Sequence, residues 1–218
     1  MSFHYEETFE NLDRWILRPA DHADWRATDG AFVGHWLARF NSLVFDRPIG
    51  GDASLEVDIH VLPFDWSRTL NAREQDDPAA WAAEQARKSA GQKNFNILWM
   101  ASGPNGEDFH EAFDEWFGKG KMGLAFFRTY FFTLTLLWAR MRRCPGYELL
   151  NDRQDARSEI GEDYRIRIEQ SGNRFTYRLN DELVHDVVDP NAYRRGRLGF
   201  ILSTSHMRVS RLVIDSEE

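Results

Sequence analysis

Three polar side chains that alternate with apolar ones could carry out acid–base chemistry. The segment SLEVDIHV spans residues 54–61, so Glu56, Asp58 and His60 share one face of a predicted strand and apolar residues share the other. Neighbouring members of this set would lie about 6.6–7 Å apart. Two carboxylates and an imidazole at this spacing could act on a glycosidic bond or hold a cation. A strand whose polar side is simply hydrated explains the pattern equally well.

A second candidate for proton transfer is His110, in a polar and aromatic insertion at about residues 103–122. Acidic neighbours could raise its pKa and make it a general base or a ligand, although hydrated loop histidines are commoner. The intervals of 50 and 96 residues that separate His60, His110 and His206 fit no local metal-binding motif. The sequence therefore identifies no metal ligands and no cofactor. A bound divalent cation is one option for this protein.

Other side chains suit recognition of a polar or anionic ligand. Guanidinium groups form bidentate bonds with carboxylates, amides bind hydroxyls, and flat aromatic rings can stack on pyranose rings. Each arginine could instead pair with an acid of the same chain, and each tryptophan could belong to the core. The candidate ligand-binding residues are Asn94, Asn96, Arg128, Arg140, Arg142, Trp66, Trp116 and His206.

Short alternating segments separated by polar turns predict an all-β fold that would position these residues. An exception is the Ala-rich segment at about 78–90, which begins with proline and is predicted to be helical. We find no linker or repeat, so residues 1–218 are predicted to form one domain. The main predicted strands are 54–61, 94–100, 164–169, 174–179, 183–188, 199–203 and 207–214, together with 131–142 as one central strand.

Charge and composition exclude several classes of protein. The 218 residues carry a formal net charge of −8, which disfavours a nucleic-acid-binding protein. A single cysteine, Cys144, rules out a disulfide framework within one chain and is interpreted as structural. The N-terminal segment has no signal-peptide pattern, and the uncharged run 129–139 is too short to span a membrane. We therefore expect a cytoplasmic protein without a membrane partner, with homo-oligomers as an option.

The segment RMRRCPGY at residues 140–147 resembles the YesU-like family of unknown function, within the concanavalin-A-like lectin and glucanase superfamily. Other short matches are ETF at 7–9, DG at 29–30, ASGPNG at 101–106 and GFILSTSHMRV at 199–209. The chain departs from the family pattern at Cys144, where asparagine is expected, and in the insertion that begins near residue 78. The resemblance implies a jelly roll of two stacked antiparallel sheets, with a saccharide cleft on the concave one.

Together these features predict an intracellular enzyme that cleaves a glycosidic bond of a short, anionic or oxidised saccharide by hydrolysis or β-elimination. The alternative is a lectin-like protein that binds saccharide without cleaving it. The chain lacks a Glu-x-Asp-x-x-Glu motif, which disfavours a retaining glucanase of the laminarinase type. In this hypothesis the carboxylates and imidazole of 56–60 share one cleft with the Asn94, Asn96, Arg140 and Arg142 side chains. The insertion that carries His110 would cover that cleft.

Overall fold

Two antiparallel sheets face each other across an apolar core. The structure, a computed structural model, describes residues 2–18, 22–38, 41–88, 94–118 and 126–217, without the side chains of 88 and 116–118. Within these residues the architecture is nearly all β, as the sequence predicts, and it is a concanavalin-A-like sandwich. None of the helices in the described ranges is long and apolar enough to cross a membrane.

The first sheet contains the strands nearest to both ends of the described chain. Its eight strands are β1 (Ser2–Glu6), β3 (Ala23–Thr28), β4 (Ala31–Trp36), β6 (Ala53–Leu62), β11 (Asp163–Ser171), β12 (Arg174–Leu179), β13 (Glu182–Val188) and β15 (His206–Glu217). Their order across the sheet is β13-β12-β11-β6-β15-β4-β3, and β1 pairs with β15. The predicted strands 164–169, 174–179 and 183–188 are therefore neighbours in this sheet.

The second sheet contains seven strands. They are β2 (Trp15–Arg18), β5 (Ser42–Gly50), β7 (Asn94–Ser102), β8 (Arg128–Leu134), β9 (Ala139–Cys144), β10 (Glu148–Arg153) and β14 (Arg195–Ser203). Their order is β10-β9-β8-β7-β14-β5-β2. Strands β6 and β7, which follow each other along the chain, thus belong to opposite sheets.

Alternating residues of the two sheets fill the space between them. From β6, Leu55 and Val57 point inward, and from β7, Phe95 and Trp99 do the same, each at most 1% exposed. Removing such side chains from water contributes about 1.5–3 kcal/mol each, so this core is the main source of stability. The polar residues between them must then lie on the outer faces of the sandwich.

A short helix covers part of the outer face of the seven-stranded sheet. In α3 (Phe109–Gly118), Phe109 and Phe113 are four residues apart and lie on one side of the helix. They form a second apolar cluster with Leu98 of β7 and Phe131 of β8. This explains why β7 is buried on both faces. The predicted covering segment 103–122 thus contains a helix, and its residues 119–122 lie outside the described part.

Two further helices lie between β6 and β7. After a 3-10 turn at Trp66–Arg68 come α1 (Leu70–Arg73) and α2 (Pro78–Lys88). The helix predicted at 78–90 is confirmed up to residue 88, and residues 89–90 are not among those described.

The prediction of one central strand over residues 131–142 is wrong, because the chain reverses direction within it. The buried Thr135 hydroxyl oxygen accepts hydrogen bonds from the backbone N–H groups of Leu137 and Trp138, both at 3.0 Å. This turn joins β8 to β9 as an antiparallel hairpin. The part of this run around the turn, residues 134–139, is uncharged and almost wholly apolar, so periodicity alone could not locate a turn inside it.

Candidate functional site

Four polar residues form a row across neighbouring strands of the seven-stranded sheet. In the strand register, Asn96 of β7 lies opposite Thr133 of β8, Thr133 opposite Arg140 of β9, and Arg140 opposite Asp152 of β10. The residues beside them in β7, β8 and β9 point into the core. The row therefore lies on the outer face of the sandwich, and we call it the polar row.

Hydrogen bonds and an ion pair hold the polar row in place. The Thr133 hydroxyl donates to Asn96 Oδ1 at 2.8 Å, and the Asn96 amide donates to the Ile201 carbonyl at 3.4 Å. Arg140 Nε lies 3.1 Å from Asp152 Oδ1. The Arg140 guanidinium holds the pKa of the Asp152 carboxyl below its usual value, although burial opposes this shift. Asp152 is therefore charged, and its carboxylate is paired with Arg140.

Two aromatic rings flank the polar row, each beside an arginine. The Arg140 guanidinium carbon lies 3.9 Å from the centre of the Trp138 ring, and that of Arg142 lies 5.2 Å from the Tyr147 ring. Tyr147 is 46% exposed, and Trp138 is half-buried. No carboxylate forms an ion pair with Arg142 among the described residues. Cation–π contacts of this kind orient the guanidinium group while leaving its N–H donors available.

Helix α3 borders the polar row on the side of β2. Arg18 of β2 reaches Asp114 of α3 at 3.6 Å. Both ring nitrogens of His110 are shielded from solvent and lack hydrogen-bond partners. Burial, with help from the nearby Arg197 charge, lowers the His110 pKa to about 4. The predicted rise in its pKa is therefore wrong, because burial and arginine outweigh the neighbouring acid Asp108.

The predicted single cleft is also wrong. Glu56, Asp58 and His60 do share one face of β6, but that face is the outer side of the eight-stranded sheet. Asn94, Asn96, Arg140 and Arg142 belong to the seven-stranded sheet. The two sets are separated by the whole sandwich and cannot act on the same bond.

The acidic residues on β6 are occupied by ion pairs. Arg165 Nε lies 2.9 Å from Asp58 Oδ1, and an Arg211 nitrogen lies 2.6 Å from Glu56 Oε1. His60 Nδ1 lies within hydrogen-bond distance of an Asp163 oxygen, at 2.9 Å. A hydrated face of paired polar side chains accounts for all three residues.

Two other predicted binding residues also lie away from the polar row. Trp66 is only 9% exposed and packs edge-to-face against Phe64 at 4.9 Å, so it cannot serve as an exposed stacking platform. His206 belongs to β15 of the eight-stranded sheet and lies opposite His35. Neither can contribute to a site on the seven-stranded sheet.

The remaining candidates lie on or near the seven-stranded sheet. Asn94 begins β7 and is half-buried. Arg128 begins β8, and its guanidinium carbon lies 4.6 Å from the centre of the Tyr193 ring. Trp116 falls within α3, but its side chain lies outside the described residues. Cys144 is fully buried, and burial raises its thiol pKa to about 11, as expected of a structural cysteine.

Sequence reasoning missed Trp138, Tyr147, Thr133 and Asp152 as members of the site. Alternation could have found Trp138, because it precedes Arg140 by two residues. Asp152 and Tyr147 join the site only through strand pairing and the turn after β9, which no local pattern indicates. In the described part of the chain, no group of three or more histidine, cysteine or acidic side chains could hold a metal ion.

Solved structures with this fold include sugar-binding proteins of low sequence similarity. A protein of unknown function with a galectin-like fold from Bacillus subtilis matches with a TM-score of 0.69 and 10% identity over 100% of both chains. The carbohydrate-binding module CBM66 from Bacillus subtilis matches at 0.59 and 12% identity, over 90% of this chain and 91% of that one. The carbohydrate recognition domain of Emp46p matches at 0.59 and 9%, over 95% and 90%.

Sequence comparison supplies the family. No curated protein sequence matches the chain. The model of the family DUF6250, a domain of unknown function, matches residues 79–212. The resemblance to the YesU-like family stays a prediction. The DUF6250 match covers more than half of the 218 residues, including most of the seven-stranded sheet and the whole polar row. The chain therefore belongs to the DUF6250 family.

Proposed function

We propose that the outer face of the seven-stranded sheet binds a saccharide that carries a carboxylate. The observation that supports this most directly is the polar row, which lies between the Trp138 and Tyr147 rings. Amide, hydroxyl and guanidinium groups can bind sugar hydroxyls, and a flat ring can stack on the apolar side of a pyranose. The sugar-binding proteins among the structural neighbours are consistent with this function.

The preference for an anionic sugar comes from the charges on this face. Asp152 balances the charge of Arg140, whereas Arg142 forms no ion pair with a carboxylate in the described part of the chain. A guanidinium group suits a carboxylate because it can donate two parallel hydrogen bonds. A uronate would therefore fit better than a neutral hexose.

Binding is better supported than cleavage. Asp152 and Asp114, two carboxylates at this face among the described residues, are each paired with an arginine. Cleavage by hydrolysis or β-elimination is the second candidate, because His110 offers two unpartnered ring nitrogens beside the face. Those nitrogens are shielded from solvent, so His110 could move a proton of the substrate only if α3 shifted.

The test is calorimetric titration of the protein with neutral and uronate-containing oligosaccharides. We expect binding of the uronates and weaker or no binding of their neutral counterparts. Arg142→Gln and Trp138→Ala should each weaken binding at least tenfold, which corresponds to about 1.4 kcal/mol. Asp58→Asn is the matched control on the opposite face and should leave binding unchanged.

Two results would contradict this function. One is the absence of binding to every sugar of the panel. The other is a loss in Asp58→Asn as large as that in Arg142→Gln. The same mixtures analysed for released products test cleavage, and turnover that His110→Ala abolishes would favour the enzyme over the binding protein.

A further inference from the structure

A cluster of polar residues lies on the outer face of the eight-stranded sheet, on the opposite side of the sandwich from the polar row. Asp24 of β3 pairs in register with His35 of β4, and His35 pairs with His206 of β15. Beside these residues is a cavity of about 130 Å³. It is lined by Asp24, Arg26, Thr28, Val33, His35, Arg68 and His206, and we call it the histidine cavity. Its volume is that of about four water molecules, enough for one small polar group.

His35 is the unusual member of the histidine cavity. It is only 1% exposed, and neither ring nitrogen makes a hydrogen bond of good geometry. Its ring stacks on Phe64 at 4.7 Å with an angle of 13° between the planes, which holds it in place. A buried donor without a hydrogen-bond partner costs about 1–3 kcal/mol. A ligand in the cavity that accepted a hydrogen bond from the His35 ring would therefore stabilise the folded protein.

The charges around the cavity favour a negatively charged occupant. Arg68 donates to Asp24 Oδ2 at 2.6 Å, and Arg26 donates to the same carboxylate. Of the charged groups that line the cavity, one is a carboxylate and two are guanidinium groups, whereas Asp65, whose charge interacts with Arg68, does not line it. Burial, then the charges of Arg68 and His206, lower the His35 pKa to about 4, whereas a backbone contact with Trp36 and the charge of Asp65 oppose the shift.

His206 adds a second ring nitrogen to the cavity. Its Nδ1 lies 3.0 Å from the Pro63 carbonyl oxygen, an acceptor only, so Nδ1 must carry the proton of this bond. This leaves Nε2 without the proton when the ring is neutral. An anion can bind at Nε2 if it donates a hydrogen bond from its own O–H group, or if the ring is protonated when the anion binds.

We propose that the histidine cavity binds a small oxyanion, either a tetrahedral one such as phosphate or the carboxylate of a larger molecule. Arg68 and Arg26 supply charged donors, and His35 supplies a buried N–H. A metal cation fits less well, because Asp24 is already occupied and the two arginines would repel it. This site is independent of the saccharide site, since the sandwich separates the two faces.

The test uses NMR spectra of the histidine rings in the intact protein, at constant pH and ionic strength. Sodium phosphate, sulfate, acetate and glucuronate are added in separate titrations, with sodium chloride as the reference salt. We expect saturable shifts of the His35 and His206 signals and none for His185. Shifts with phosphate and sulfate alone indicate a tetrahedral anion, and shifts with acetate and glucuronate indicate a carboxylate.

Variants show whether these shifts come from the histidine cavity. His35→Phe retains the stacking on Phe64 and removes the nitrogens, and Arg68→Gln removes one charge without touching the core. Each should weaken anion binding at least tenfold, with His206 as the reporter in both. Arg165→Gln, on the same sheet face but away from the cavity, is the control. The proposal fails if chloride produces the same shifts, if no anion does, or if Arg165→Gln weakens binding as much as Arg68→Gln.

Discussion

At the scale of single residues, Asp189 illustrates how one buried carboxylate connects distant segments. It is 2% exposed and accepts hydrogen bonds from the Tyr130 hydroxyl at 2.6 Å, an Arg143 nitrogen at 2.8 Å and the Asn191 backbone at 2.9 Å. Burial alone would raise the pKa of Asp189, but these donors outweigh it and hold the pKa below its usual value. The carboxylate is therefore charged in the folded protein.

We expect Asp189→Asn to destabilise the protein by about 1.5–3 kcal/mol, because it removes the charged acceptor of the Tyr130 and Arg143 hydrogen bonds, while Arg143 keeps its ion pair with Glu148. Urea unfolding at pH 7 measures the change. Asp186→Asn, which removes an exposed ion pair with Arg174, is the control and should have little effect. Equal effects of the two substitutions would contradict a structural role for the buried carboxylate.

At the scale of elements, α3 depends on apolar contacts with the seven-stranded sheet. Phe109 is fully buried between the helix and the sheet, 5.0 Å from the centre of the Phe127 ring. Phe109→Ala should lower the free energy of unfolding by about 3–5 kcal/mol, since it leaves a cavity in the second cluster. Leu137→Ala, at a position 52% exposed, is the control and should cost less than about 0.5 kcal/mol. A small effect of Phe109→Ala in urea unfolding would show that α3 is not docked as described.

The turn between β8 and β9 is a second element that one side chain stabilises. The Thr135 hydroxyl accepts from two backbone N–H groups and donates to the Trp138 carbonyl at 3.0 Å. Thr135→Val keeps the shape but removes these bonds, so we expect a loss of about 1–3 kcal/mol. Thermal and urea unfolding measure it, with Thr176→Val in β12 as a comparison. Unchanged stability of Thr135→Val would mean that the turn forms without the hydroxyl.

At the scale of the whole molecule, buried neutral histidines should make the fold sensitive to mild acid. His35, His110 and His185 each have a pKa lowered to about 4, chiefly by burial. The unfolded chain, with histidine pKa values of about 6.5, binds more protons between pH 4 and 6.5. Stability should therefore fall as the pH is lowered through this range, before the carboxyl groups titrate below about pH 4.

His185 offers a clear measure of this effect because it is 1% exposed and its pKa is lowered chiefly by burial, with a smaller opposing effect of Asp152 in the polar row. Its share of the loss between pH 7 and pH 5 should be on the order of 2 kcal/mol. The free energy of unfolding of His185→Phe should thus depend less on pH than that of the unmodified protein. Leu137→Ala, which removes no titratable group from a position 52% exposed, should leave the pH dependence unchanged. The expectation is wrong if His185→Phe and the unmodified protein lose the same stability over this range.

Local pattern determined most of the elements of this protein. Alternation identified β6 and its two faces and the strands from residue 164 onward, and the Ala-rich composition identified the helix from residue 78, because each depends on neighbours within a few positions. Alternation also correctly placed Glu56, Asp58 and His60 together. A period of two arises from the backbone of a single strand, so it is visible without knowledge of the other strands.

The tertiary structure alone decided which residues meet. Period-two alternation shows which side chains share a face but not which sheet a strand joins, so the positions of β6 and β7 on opposite sheets could not be predicted. The apolar run around Thr135 likewise conceals a turn, because both faces of β8 are covered, one by the core and one by α3. The polar row and the histidine cavity exist only through pairing between strands, which joins β7 to β8 and β4 to β15 across long segments of the sequence. Such pairing depends on long-range hydrogen bonds and burial, which a single segment does not contain.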